Sequence, residues 1–164
     1  MINPLLKSCS ILVALFVWAS SAFAENLFST AIKVNDRSIT VYELRQRSLF
    51  LKLLNVPGDP DAIAREQLID DRLKLNAAKT MGIELTNAEI KGGMEEFAAR
   101  GKLDLPSFVK QLKALGISEA TLRDFVKSGL LWRAVVQTKF GAQSQVSDAQ
   151  LERSTNIEGS GGGI

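Results

Sequence analysis

The chain has 164 residues, 46% of them hydrophobic, with 20 basic side chains, 18 acidic ones and no histidine. A formal net charge of +2 is too balanced for a nucleic-acid binder. The lack of histidine removes the commonest general base and the commonest metal ligand, so Ser-His-Asp and Cys-His catalysis are excluded and neither a metal site nor a cofactor is expected.

Residues 1–24 read as a secretory signal peptide: Lys7 is the positive region, Ile11–Trp18 the apolar stretch, and Ala22-Phe23-Ala24 a small-x-small cleavage site. The apolar run falls short of the roughly 20 residues of a spanning helix, so no stable membrane insertion is expected. Cys9, the only cysteine, precedes the cleavage site. An exported domain without disulfides must then be held by its core, and this combination fits a bacterial periplasm.

After a short lead-in, Ala31–Val41 alternates as a hairpin, with Ile32 and Val34 answered by Ile39 and Val41 across Asn35-Asp36-Arg37-Ser38. Thr40-Val41-Tyr42-Glu43 is a capping box that opens a helix to about Asn55. Val56-Pro57-Gly58-Asp59 stops it. Asp59 caps the next helix, with Pro60 at its first position, and Gly82 ends that helix after Met81. Thr86-Asn87-Ala88-Glu89 is a second capping box, for a helix to Arg100. Gly92-Gly93 inside it marks either close helix packing or a flexible point. Asp104 caps a helix through Leu115 and Ser118 caps the longest one, to Phe140. A third box, Ser147-Asp148-Ala149-Gln150, begins a short sixth helix, and 155–164 is a flexible Gly-rich tail.

The long segment 118–140 carries apolar residues on two sides. At about 100° per residue, Leu122, Phe125, Val126, Gly129, Leu130, Trp132, Val136 and Phe140 share one broad face. Leu131 and Val135 lie opposite, and Arg133 falls in the middle of the broad face. The pattern predicts a spine packed on both sides, or one with a side left open. The charge clusters Arg45/Arg47 and Asp70/Asp71/Arg72/Lys74 read as solvated helix faces. No phosphate-binding glycine loop occurs, and the adjacent carboxylates Asp70-Asp71 and Glu95-Glu96 point about 100° apart on a helix. Catalytic residues are therefore not expected within these residues.

Three segments together resemble the N-terminal domain of the SurA family: 32–44, Ala64–Leu75 and Met81–Ile90. Leu122-Arg123-Asp124-Phe125 and Val146–Leu151 extend the likeness, which covers about Phe28–Arg153. The resemblance implies a trigger factor/SurA peptide-binding fold: mainly α, five to six helices with a small N-terminal hairpin, over 25–154. It implies an ATP-independent periplasmic chaperone that binds unfolded outer-membrane proteins. SurA-like chains continue into parvulin-type peptidyl-prolyl isomerase domains, whose sites use histidines. About ten residues follow Arg153 here, so isomerase activity is not carried over to these residues, and the chain reads as a domain without parvulin or as the N-terminal part of a longer isomerase. A segment from beyond the parvulin domains also completes the family's N-terminal domain.

Two binding readings follow. Clients would dock on apolar helix surface, with Leu49, Phe50, Leu53, Phe97, Leu131 and Val135 as the candidate peptide-binding residues. Alternatively the same surface docks a second copy, making the chain a structural or dimerisation module. Under the resemblance, Leu131 and Val135 lie where the completing helix would sit, and are expected to be open to solvent.

Overall fold

The computed structural model describes residues 27–141. The expected signal peptide, sixth helix and Gly-rich tail lie outside the described residues. Strands β1 (Thr30–Val34) and β2 (Arg37–Thr40) pair antiparallel as a two-stranded sheet. Their turn is closed by Asn35 at φ 55°, a left-handed conformation that asparagine tolerates better than most residues. Five helices follow: α1 (Val41–Leu53), α2 (Pro60–Thr80), α3 (Asn87–Arg100), α4 (Leu105–Ala114) and α5 (Glu119–Phe140). The fold is therefore mainly helical with a small N-terminal hairpin, as the sequence pattern predicts.

The helix starts follow local chemistry. Thr40 and Thr86 each accept the N–H of the glutamate three residues on, and that glutamate accepts the threonine's own N–H. Asp59, Asp104 and Ser118 cap α2, α4 and α5. Gly82 and Gly116 sit at φ 65° and 72°, where a β-carbon would be strained, and turn the chain after α2 and α4.

Helix α5 crosses the domain and divides it. On one flank lies the main core, where Phe50 of α1, Ile90, Met94 and Ala98 of α3, Phe108 and Leu112 of α4, and Leu122 and Val126 of α5 pack together. Gly93 lets α3 approach closely: a β-carbon there would stand 2.8 Å from side-chain atoms of both Val126 and Leu130. The Gly92-Gly93 pair thus includes one position required by packing. Phe50, Phe97 and Phe125 meet in edge-on and tilted ring pairs, 5.4–5.9 Å between centroids. On the other flank α2 runs alongside α5 in the same direction, with Asp71 beside Ser128 and Ala78 beside Leu131 and Val135.

Candidate functional site

The seam between α1, α2 and α5 is held by polar groups. Asp71 accepts from Arg47 Nη2 at 2.7 Å and from Ser128 Oγ at 2.6 Å, so one carboxylate ties all three helices. Arg47 Nη1 also donates to Gln67 at 3.2 Å, and the guanidinium lies 5.1 Å from the Phe125 ring centroid. The Gln46 side chain accepts the Ser118 N–H at 2.7 Å and donates to the Gly116 carbonyl at 2.9 Å, anchoring the start of α5. Arg47 and Asp71 are 2% and 8% exposed. This corrects the reading of both charge clusters as solvated faces for Arg47 and Asp71, whereas Arg45 and Asp70 are exposed as expected. A charge is tolerated inside when paired and hydrogen-bonded, and the partner comes from a helix 24 positions away, which periodicity cannot reveal.

Two clefts open above this seam. One, of about 450 Å³, lies between the hairpin, α1, α2 and α5, with Tyr42, Glu43, Thr121 and Asp124 on its walls. The other, of about 400 Å³, is lined by Ala78, Ile83, Leu85 and Leu131. Arg37, Leu75 and Lys127 line both, so the two clefts adjoin along the α2–α5 seam, and together they are called the trough. At its first end, Arg72 donates to Glu43 and to the Ser38 carbonyl, joining α2 to the hairpin. Burial alone would push the Glu43 carboxyl up, but the Thr40 N–H and Arg72 hold it below the usual glutamate range. Asp124 is exposed as a residue, yet loss of water around its carboxyl, and then the nearby Glu43 charge, push it above the usual aspartate range. A third cleft, of about 290 Å³, lies across α5 between Phe97, Phe125, Gly129, Leu130 and Arg133.

The candidate peptide-binding residues are not brought to one open surface. Phe50 is fully buried, and Leu131 and Val135 are each 4% exposed. The expectation that Leu131 and Val135 face solvent is therefore corrected: Ala78, Leu75 and Ile83 cover them, because α2 is long enough to run beside them. Leu49, Leu53 and Phe97 are half-buried and packed against the main core. The apolar residues that do reach solvent on α5 are Trp132, Val136 and Phe140, at 43%, 38% and 46% exposure. The periodicity placed these on the broad core face. That face is covered only as far as Leu130, and Arg133 was the local signal of the change. It is exposed and makes no ion pair with any described residue. No group of metal-ligating side chains occurs among the described residues, and none of their helices is long and apolar enough to cross a membrane.

No family model matches the chain. It is 30% identical over 162 residues to the chaperone SurA of Legionella pneumophila strain Philadelphia 1, which covers 93% of this chain and 38% of that protein. The chaperone SurA of Alcanivorax borkumensis is 26% identical over 87% of this chain and 34% of its own length, and that of Chromohalobacter salexigens 24% over 91% and 36%. The chain thus spans little more than a third of the curated relatives it matches. Over nearly its whole length it is homologous to the SurA chaperones, consistent with the N-terminal domain that its capped helices resemble.

Proposed function

We propose that this chain is a periplasmic chaperone domain that binds unfolded outer-membrane proteins without ATP. The observation that carries this reading is the similarity to SurA chaperones across 93% of the chain. The signal-like leader ending at Ala24 supports the compartment. Binding uses accessible apolar surface: Leu49, Leu53 and Phe97 where they emerge from the core, backed from beneath by Phe50, while Leu131 and Val135 stay covered on the other flank of α5. Exposed Trp132, Val136 and Phe140 extend the surface along α5. A side-chain surface of this kind needs no nucleotide to hold a client, since apolar burial supplies the attraction.

The test is aggregation of a urea-denatured outer-membrane porin on dilution, followed by light scattering. A several-fold molar excess of the chain should suppress scattering, and an unchanged trace would sink the proposal. The Trp132/Val136/Phe140 stripe, with its spacing of four, also suits a second copy of the chain. Sedimentation velocity at high concentration separates the readings, because a strictly monomeric profile removes the self-association version.

A further inference from the structure

The trough along the α2–α5 seam combines an apolar floor with positive charge that no salt bridge among the described residues engages. Its floor is Leu68, Leu75, Ala78 and Leu131. Arg37 reaches it from the hairpin and Lys127 from α5, and both stand where the two clefts join. Of the neighbouring charges, Arg47 is matched with Asp71 and Arg72 with Glu43, while Lys79 also lines the second cleft. Arg37 and Lys127 make no ion pair with any described residue. Of the acidic side chains lining the trough, Asp71 is paired with Arg47 and Glu43 with Arg72, Glu84 lines the second cleft only, and Asp124 lines the first, one helical turn from Lys127 and within reach of its charge.

We infer that this trough takes an extended, mainly apolar polypeptide segment carrying one acidic side chain at its middle. The inference rests on the chaperone reading and names the kind of segment that would be held. From Thr121 to Leu131, α5 advances roughly 15 Å at 1.5 Å per residue. An extended chain rises about 3.3 Å per residue, so four or five residues fit. Alternate side chains of such a segment meet the floor. A central carboxylate then lies between Arg37 and Lys127, while a central lysine meets two like charges. Charge of this kind selects among partners more than it adds raw affinity.

The experiment is fluorescence anisotropy with two labelled pentapeptides, Leu-Val-Asp-Val-Leu and Leu-Val-Lys-Val-Leu, titrated with the full chain at low salt. The aspartate peptide should bind about fivefold to tenfold more tightly, the size expected of two partly solvated ion pairs. In the double variant Arg37→Gln/Lys127→Gln the preference should fall to about twofold or less. Lys127→Glu alone, a change at a half-buried position outside both apolar clusters that keeps the test usable if the double variant fails to fold, should weaken the aspartate peptide and strengthen the lysine one. Equal affinities, a preference untouched by these variants, or no binding of either peptide would overturn the proposal. The porin aggregation assay on the wild-type chain reports separately. Suppression without peptide discrimination discards the trough and leaves the chaperone reading standing, whereas discrimination without suppression discards the chaperone reading.

Discussion

On one flank of α5, Leu122 and Val126 join a cluster that draws on α1, α3 and α4 and is almost wholly apolar. On the other flank, Leu131 and Val135 meet only a thin cluster around Ala78, and beside it lies the buried Arg47–Asp71–Ser128 group. The first flank supplies stability, since burying apolar area is favourable in almost any well-packed arrangement. The second supplies geometry. A buried ion pair returns little net stability against an apolar replacement, but it is satisfied in only one register of α1, α2 and α5. The trough lies on this second flank, where a fixed geometry matters more than bulk.

The largest effect should come from the first flank. Phe50→Ala removes a ring that touches both Phe97 and Phe125 and should cost about 4 kcal/mol in a denaturant titration. Next, Asp71→Ala should cost about 3 kcal/mol, because it leaves Arg47 buried and unpaired, with its Nε already lacking a partner. Adding Arg47→Met should recover most of that loss. If the double variant is no better than Asp71→Ala, the polar flank contributes stability after all and the contrast between flanks fails.

Adjacent residues on α5 sharpen the same comparison. Leu131→Ala should cost about 2.5 kcal/mol, as a buried leucine does, whereas Trp132→Ala should change stability by less than about 0.5 kcal/mol while weakening client holding. Gly92 and Gly93 should respond with opposite signs. Gly92→Ala meets no neighbour and should gain up to about 1 kcal/mol of helix stability, while Gly93→Ala forces Val126 and Leu130 aside and should lose about 1 kcal/mol. Thermal melts of the two alanine variants check this directly.

The smallest expected effect is on pH dependence. Glu43 has a folded-state pKa below its unfolded value of 4.5, so the stability it adds is complete above that value. That contribution is lost as pH falls through the folded pKa. Glu43→Gln should therefore flatten part of the acid-side fall in melting temperature. Asp124 acts in the opposite sense: its raised pKa means the ionised carboxylate opposes folding, so Asp124→Asn should melt slightly higher at neutral pH. A lower melting temperature for that variant would show that its charge has a favourable partner.

Among the described residues, each helix start was legible because capping is local: Thr40, Asp59, Thr86, Asp104 and Ser118 lie within three positions of the N–H groups they serve. The hairpin was legible from alternation, but the Gly92-Gly93 pair could be read as close packing or as a flexible point, and only the approach of Val126 and Leu130 to Gly93 decides for packing there. The site was much less legible. Periodicity grouped Trp132 with Val126, and nothing in either residue says that the covering elements stop near Leu130. It likewise set Leu131 and Val135 apart without showing that the end of α2 and the turn after it would cover them.

The sequence alone thus determined where each helix begins and that a hairpin precedes them, since those depend on contacts a few residues apart, although β2 starts at Arg37, inside the stretch read as the turn. Only the tertiary structure decided which charges are buried, which apolar residues stay open and where the trough runs. Those depend on partners such as Arg47 and Asp71, or Asp71 and Ser128, that are 24 and 57 positions apart. Whether a side chain is exposed is a property of what covers it, and for α5 the cover comes from other helices.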